Sequence, residues 1–174
     1  MKLNVLLLDQ ESIFSQLQIE EALLRADDEN WCIINIGSTP AIVMGISGKA
    51  RKLIDPIRYQ EYPIPIIRRF SGGGTVVVDE NTLFISFIMA KKNLDFGIQP
   101  AEILQWTKEI YQPVFTPEPF SFTEHDYTIG ERKVGGNAHY FTKDRWLHHT
   151  TFLWDYKDSL MSLLLMPEKR PRYR

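Results

Sequence analysis

The chain has 174 residues, of which 44% are hydrophobic and 24% are charged. This length suits one well-buried domain and is too short for two, so we expect a single domain over residues 1–174. The formal net charge of -2 excludes the basic field of a nucleic-acid-binding protein. The first apolar run, residues 3–8, is too short for a signal peptide or a membrane span. A lone cysteine fits a reducing compartment, so we expect a cytoplasmic protein without nucleic-acid or membrane partners.

Strand-like runs outnumber helical segments along the chain. A helix that Asp9 or Ser12 can cap follows the first strand, and its partial apolar stripe includes Glu20. The strands lack regular strand–helix–strand alternation, which indicates an α+β fold with a mostly antiparallel sheet flanked by helices. The predicted strands are 3–8, 31–36, 41–46, 64–67, a hairpin over 76–90, 121–129, 133–141 and 146–154; the predicted helices are the capped one with the stripe Ile13, Leu17, Glu20 and Leu24, one over 100–111 and one over 158–166.

Several side chains are predicted to be structural. Because His148 and His149 are neighbours on a predicted strand, they face opposite sides and cannot easily bind one metal together. No cysteine or paired carboxylates stand at ligand spacing from the other histidines, so we expect no structural metal. We expect four aromatic residues near the end of the chain to be buried in the core: Tyr140, Phe141, Trp146 and Trp154.

Three consecutive glycines, Gly72, Gly73 and Gly74, lie between two predicted strands and follow Arg68 and Arg69. Backbone N–H groups without a neighbouring Cβ can approach an anion closely and form a nest for a phosphate or carboxylate. The arginines add planar donors. Taken alone, the segment is equally consistent with an ordinary glycine-rich turn. It is neither a Walker A loop nor a dinucleotide fingerprint, since both the Lys-Ser/Thr pair and the G-x-G-x-x-G spacing are missing.

A second glycine-containing segment lies further along the chain. Residues 68–79 read Arg-Arg-x-Ser-Gly-Gly-Gly-x-Val-x-x-Asp, and residues 130–138 read Gly-Glu-Arg-Lys-Val-Gly-Gly-Asn-Ala. Together they resemble the acyl-binding loop and the lysine segment of the lipoate–protein ligase A family, relatives of the biotin ligases. Two motifs in the right order are more specific than either one alone.

The resemblance implies roles for particular residues. Lys133 matches the family's indispensable lysine, which would reach both the acyl carbonyl and the α-phosphate of ATP. Asp126 matches an acidic position near the nucleotide and is a candidate ligand for Mg²⁺, although a turn aspartate explains it equally well. Two departures are Val78, where many members have histidine, and Gly135, which replaces the usual serine. The implied acyl- and adenylate-binding residues are Arg69, Ser71, Gly72, Gly73, Gly74, Thr75, Val77, Gly135, Gly136, Asn137 and Ala138.

The implied activity is activation of lipoate or octanoate with ATP and Mg²⁺, followed by transfer of the acyl group to a lysine. The acceptors would be lipoyl domains of 2-oxoacid dehydrogenase or glycine cleavage proteins. A non-catalytic lipoyl- or adenylate-binding homologue and a biotin ligase remain alternatives. A thioester-forming octanoyl or lipoyl transferase is disfavoured, because such enzymes place a cysteine beyond the lysine motif and Cys32 lies upstream. Family ligases commonly continue further, so we expect a missing C-terminal extension or a separate accessory domain.

Overall fold

The computed structural model describes residues 2–93 and 98–166. Ten strands and five helices lie in these two ranges, together with a short 3-10 turn at Lys91–Asn93. In chain order they are β1 (Asn4–Asp9), α1 (Ile13–Ala26), β2 (Trp31–Ile36), β3 (Ala41–Met44), α2 (Ala50–Leu53), α3 (Pro56–Glu61), β4 (Ile66–Arg68), β5 (Thr75–Val78), β6 (Thr82–Ala90), α4 (Pro100–Phe115), β7 (Phe120–Thr123), β8 (Asp126–Ile129), β9 (Arg132–Phe141), β10 (Arg145–Leu153) and α5 (Asp158–Met161).

The strands form two sheets. A seven-stranded sheet has the order β1-β2-β6-β10-β9-β8-β7, and a three-stranded sheet has the order β4-β3-β5. The β1–β2 and β3–β4 pairs are parallel, and the other pairs are antiparallel. The expected α+β fold with a mostly antiparallel sheet is therefore confirmed. No helix in the two described ranges is long and apolar enough to cross a bilayer.

The two long helices cover opposite faces of the large sheet. Successive strand residues point to opposite faces, and Leu147 packs with Leu24 of α1, whereas its neighbour Trp146 packs with Leu104 of α4. Helix α1 begins where the Ser12 side chain accepts a hydrogen bond from the Ser15 N–H, which satisfies one of its unpaired N–H groups. The lysine and glycine motifs lie on the α1 side, as the contacts below establish.

Several predicted boundaries are wrong. Helix α4 does not end near Tyr111 but continues through Pro113 to Phe115, because a proline in the last turn costs one hydrogen bond to a carbonyl that water can reach. The predicted strand 121–129 is two strands, β7 and β8, which meet at a turn where Glu124 has φ 54°. The last helix stops at Met161 instead of 166.

The aromatic prediction holds only in part. Trp146 is fully buried, but the Trp154 side chain is 91% exposed and Phe141 is 37% exposed. Trp154 lies just beyond the end of β10, where its backbone N–H donates to the Asn81 carbonyl. The strand alternation that would turn this side chain inward has ended at that point.

Candidate functional site

The carbonyl groups of the triple-glycine loop accept hydrogen bonds from Arg69, which lies just before the loop. Arg69 Nε and Nη2 donate to the Gly72 carbonyl at 3.0 and 2.7 Å, and Nη2 also donates to the Gly74 carbonyl at 3.0 Å. Gly73 between them has φ 95°, a conformation that strongly favours glycine. Burial lowers the pKa of the Arg69 guanidinium to about 10, with the Glu20 carboxylate opposing this shift, so Arg69 remains charged at neutral pH.

A glycine that sequence reasoning missed lets this loop close. Gly45 follows β3, and a Cβ placed on it would lie 2.2 Å from the Gly73 carbonyl oxygen. The Gly45 N–H donates to the Gly74 carbonyl, and the Ile46 N–H donates to the Ser71 carbonyl. A side chain at Gly45 is therefore incompatible with the observed loop position. In contrast, the Cβ positions of Gly72 and Gly74 meet no atom within 4 Å, so the other side of the loop faces open space.

The loop contacts the strand that carries the second motif. The Cβ position of Gly73 lies 3.6 Å from Ala138 Cβ and 3.8 Å from the Asn137 carbonyl oxygen. Two residues back along β9, on the same face, the Cβ position of Gly136 lies 3.2 Å from Lys133 Nζ. The structure therefore places both sequence motifs at one cleft, and a Cβ at position 136 would be in tight contact with the lysine ammonium.

A β-bulge in β9 sets the direction of the Lys133 side chain. Thr128 pairs with Lys133 and Tyr127 pairs with Gly135, so Val134 is an extra residue in β9. Such a bulge redirects the neighbouring side chains. The Lys133 ammonium lies 2.9 Å from Asp126 Oδ1, and the two side chains are 30% and 13% exposed. The lysine is thus partly accessible to a ligand and carries a counter-charge from β8.

Ser71 presents an unsatisfied polar atom beside this cleft. Its side chain is fully buried, and its Oγ has no hydrogen-bond partner among the described residues. Because a buried hydroxyl without a partner costs about 1–3 kcal/mol, such atoms often mark the place of a ligand or water. The position fits the predicted role of Ser71 in binding an adenylate oxygen.

A small cavity of about 20 Å³ lies between α1 and the sheets. Arg69 and Val78 both line it. The volume is enough for about one water molecule and is far below that of an octanoyl chain. Its lining combines apolar side chains (Ile13, Leu17, Val43, Val76, Val78 and Phe84) with polar ones (Gln16, Glu20, Arg69, His149 and Thr151).

Glu20 and His149 form a polar end to this cavity that sequence reasoning did not assign to the site. Glu20 is completely buried and accepts hydrogen bonds from Ser86 Oγ at 2.5 Å and Gln16 Nε2 at 2.8 Å, while His149 Nδ1 lies 3.3 Å away. Burial alone raises the pKa of Glu20, but His149, Ser86 and Gln16 outweigh it and the pKa is lowered. The available signal was a glutamate in the inward-facing stripe of α1.

The structure places the side chains of two predicted binding residues, Val77 and Asn137, away from the cleft. Val77 packs with Ile42 and Ile64 on the far side of the small sheet, so its side chain faces away from the cavity that Val76 and Val78 line. The side chain of Asn137 points to the sheet face opposite Gly136 and Ala138, because strand residues alternate. Its amide bonds Thr150 and the His125 carbonyl, so Asn137 can contribute to the cleft only through its backbone.

Gly135 also faces away from the cleft. A Cβ on Gly135 would lie 2.8 Å from the Phe152 ring and 3.3 Å from Tyr127. A side chain at residue 135 would therefore meet the aromatic rings on the α4 side of the sheet. Thr75 is half-buried at the start of β5, paired with Met44. Within residues 2–93 and 98–166, no three His, Cys, Asp or Glu side chains are grouped for metal binding, and Asp126 offers a single carboxylate.

The chain matches the model of the lipoyl protein ligase A/B catalytic domain over residues 12–173. It therefore belongs to this family, and its described part has the architecture of a lipoate-ligase-like catalytic domain.

Among curated relatives, the chain is similar to the "Inactive lipoate–protein ligase 2" of Plasmodium falciparum, with 28% identity over 93% of this chain and 57% of the relative. It is also similar to the lipoate-protein ligase LplJ of Bacillus subtilis, with 29% identity over 80% of this chain and 42% of that protein. The chain thus spans about half the length of the curated relatives it matches.

Solved structures share the fold at low identity. A bi-partite lipoate protein ligase from Thermoplasma acidophilum aligns with a TM-score of 0.80 and 22% identity, over 97% of this chain and 68% of that one. LipL1 of P. falciparum in complex with lipoate has a TM-score of 0.80 at 20% identity, over 98% and 53%. A lipoate-protein ligase A bound with ATP has a TM-score of 0.78 at 21% identity, over 96% and 73%.

Proposed function

We propose that this chain is the catalytic domain of a lipoate–protein ligase, which activates lipoate or octanoate with ATP and transfers the acyl group to a lysine of a lipoyl domain. The observation that carries the proposal is the meeting of two motifs at one cleft. The Cβ position of Gly73 lies 3.6 Å from Ala138 Cβ, and the Cβ position of Gly136 lies 3.2 Å from Lys133 Nζ. Similar proteins with bound lipoate or bound ATP support the choice of substrates, and a ligase described together with its lipoyl domain supports the acceptor.

In the first step a carboxylate oxygen of the acid attacks the α-phosphorus of ATP, and pyrophosphate leaves with the electron pair of the broken P–O bond. Two anions must approach each other, so preorganised donors lower the barrier most. The Lys133 ammonium offsets the negative charge between acid and α-phosphate, and the unpartnered Ser71 hydroxyl donates to an adenylate oxygen. The open side of Gly72 and Gly74 lets the ligand approach the backbone of the loop.

The acyl chain would enter between α1 and β5, where the cavity already has apolar walls. Burial contributes about 0.8 kcal/mol for each CH₂. Since the cavity holds only about 20 Å³, the acyl chain must widen it by displacing side chains that line it. In the second step a neutral lysine amine of the lipoyl domain attacks the acyl carbonyl, an amide forms and AMP leaves.

Two further features concern the nucleotide. Val77 lies in β5, an edge strand of the small sheet, so its backbone N–H and carbonyl on the outer side can pair with a base even though its side chain cannot reach the cleft. Asp126 supplies one carboxylate, and Mg²⁺ in nucleotide sites is commonly held by one or two carboxylates together with phosphates. Asp126 fits Mg²⁺ that arrives with ATP and does not form a resident metal site.

A second candidate function is binding without catalysis. A relative that covers 93% of this chain is named inactive, and Val78 cannot supply the hydrogen bonds of the histidine that many members have there. In that case the cleft would bind an acyl-adenylate and release no pyrophosphate.

A pyrophosphate-release assay with lipoate, octanoate or biotin as the acid tests the proposal. The expected result is release with lipoate or octanoate, loss of release in Lys133→Ala, and little change in Arg132→Ala, which removes the adjacent exposed cation. Calorimetric titration with lipoyl-adenylate separates the two candidates: binding without release supports the non-catalytic homologue. Release with biotin alone would assign the chain to biotin ligation instead.

A further inference from the structure

A chain of hydrogen-bonded polar side chains, centred on the buried His148 and Thr150, crosses the α4 side of the sheet behind the cleft. His139 Nε2 lies 2.8 Å from His148 Nδ1, and His148 Nε2 lies 3.1 Å from Thr150 Oγ1. Thr150 Oγ1 donates to Asn137 Oδ1 at 2.8 Å, and Asn137 Nδ2 donates to the His125 carbonyl at 2.9 Å. The chain therefore connects β9 and β10 to the turn that precedes β8.

The direction of every hydrogen bond in this network follows from the single hydroxyl proton of Thr150. Its hydroxyl donates that proton to Asn137, so the contact to His148 requires an Nε2–H donor. A neutral His148 then has a bare Nδ1, which accepts from His139 Nε2–H. Exchanging the amide oxygen and nitrogen of the Asn137 side chain would place its oxygen against the His125 carbonyl, and two acceptors cannot form a hydrogen bond. Tyr111 of α4 also donates to Thr150 Oγ1, at 3.3 Å.

Burial keeps this network neutral. His148 and Thr150 are fully buried, and burial, followed by the neighbouring histidines, lowers the pKa of His139 to about 4 and that of His148 well below its ordinary value. Since an amide does not relay protons readily, the network orients groups and does not conduct protons.

The end of the network lies next to the candidate catalytic pair. The His125 carbonyl belongs to the turn in which Glu124 has φ 54°, and the next residue, Asp126, holds the Lys133 ammonium at 2.9 Å. Asn137 also lies between Gly136 and Ala138 in β9. These two residues point to the opposite face of the sheet, where they line the cleft. One side chain thus anchors both the start of β8 and the strand that carries the lysine.

We propose that Thr150 and His148 are positioning residues: through Asn137 they fix the turn at His125, and with it the Asp126–Lys133 pair, for adenylate formation. This inference rests on the proposed ligase function for its kinetic consequence. A misplaced catalytic cation lowers the rate of the chemical step more than it weakens ground-state binding of substrate. The expected signature is therefore a fall in kcat with a smaller change in KM for ATP.

Thr150→Val is the variant that tests this, because valine keeps the shape and removes the hydroxyl at the centre of the network. We expect about a tenfold fall in kcat, restored by Thr150→Ser. Thr82→Val is the matched control: it removes another buried threonine hydroxyl, which accepts a hydrogen bond from the Asp79 N–H and lies outside this network. Unfolding midpoints measured for all three variants separate positioning from general destabilisation.

NMR of the ¹⁵N-labelled full chain supplies a readout independent of activity. In wild type, His148 should show the Nε2–H tautomer, and in Thr150→Val the backbone amides of His125 and Asp126 should shift while Thr82→Val leaves them unchanged. Unshifted amides in Thr150→Val would overturn the proposal even if kcat falls, and an unchanged kcat would overturn it even if they shift. If the wild-type chain has no adenylating activity, the ligase proposal fails separately and the amide shifts alone decide whether the coupling exists.

Discussion

Lys133 and Asp126 form an ion pair across neighbouring strands, with the ammonium 2.9 Å from the carboxylate. The pair holds the lysine over Gly136, at the cleft that the glycine loop borders. Partly exposed pairs of this kind contribute little to stability, so its importance should lie in placing the cation. The lysine is aimed before any substrate is bound, which is the preorganisation that electrostatic catalysis requires.

Replacing Asp126 with Asn separates two roles for this carboxylate. We expect adenylate formation to slow about tenfold, because the ammonium loses the partner that orients it. Rates measured across a range of Mg²⁺ concentrations identify the cause. If Asp126 only orients Lys133, added Mg²⁺ leaves the defect unchanged; recovery at high Mg²⁺ would instead identify the carboxylate as a metal ligand.

Gly45 should be intolerant of a side chain, whereas Gly72 should tolerate one. Gly45→Ala places a Cβ 2.2 Å from the Gly73 carbonyl, and we expect it to destabilise the fold by about 1–3 kcal/mol and to displace the loop. Gly72→Ala meets nothing within 4 Å and should leave the free energy of unfolding unchanged while weakening adenylate binding. Urea unfolding and calorimetric titration of both variants check this pair. Equal stability of the two would contradict the observed packing of the loop against residue 45.

Glu20 should be required for stability although it is charged and buried. Glu20→Ala leaves Ser86 and Gln16 without their acceptor and removes the negative charge nearest to the buried Arg69, so we expect a loss of about 3 kcal/mol. Glu21→Ala on the same helix removes an exposed pair with Arg25 and should cost well under about 1 kcal/mol. Unfolding midpoints measure both effects, and a comparable cost for the two would refute a structural role for the buried carboxylate.

The buried histidines predict a stability loss in mild acid. The pKa of His139 falls from 6.5 to about 4 on folding, mainly through burial, so below pH 6.5 the unfolded chain binds more protons than the folded one. Stability therefore falls as the pH drops from 6.5 towards 4, by at most about 1.4 kcal/mol per unit from this residue.

Glu20 affects stability at lower pH than the histidines do. Because folding lowers its pKa from 4.5, its contribution to stability is lost only as the pH falls below 4.5. Unfolding in urea between pH 5 and 6.5 thus isolates the histidines. His139→Gln should flatten the dependence in this interval. A stability that is constant or rises towards pH 5 in the wild-type chain would contradict a neutral, buried His139.

The fold class could be predicted from the pattern of strand-like and helical segments, and the expectation that the two motifs meet comes from their resemblance to the lipoate–protein ligase A family. Gly45 escaped notice because its role depends on a loop that is distant in sequence. The outward turn of Val77 depends on the phase of strand alternation, which a run of four valine and threonine residues at Thr75–Val78 does not reveal.

Other failures have different physical causes. The stripe on α1 included Glu20, but only the tertiary structure brings Ser86 and His149 to it. The predicted end of α4 near Tyr111 is wrong because Pro113 lies in the final turn of the helix, where a proline removes only one hydrogen bond. Trp154 was expected in the core because of its aromatic character alone. Its position just past the end of β10 leaves its side chain in solvent.

The most direct measurement is mass-spectrometric detection of acyl-adenylate after a single turnover with ATP and lipoate or octanoate. Wild-type protein should accumulate lipoyl- or octanoyl-AMP, and Lys133→Ala should reduce its rate of formation by about 10²–10³ with an unchanged unfolding midpoint and with Arg132→Ala near wild type. Adenylate formed by Lys133→Ala at the wild-type rate would contradict the assignment of the cleft between the glycine loop and β9 as the site of acid activation.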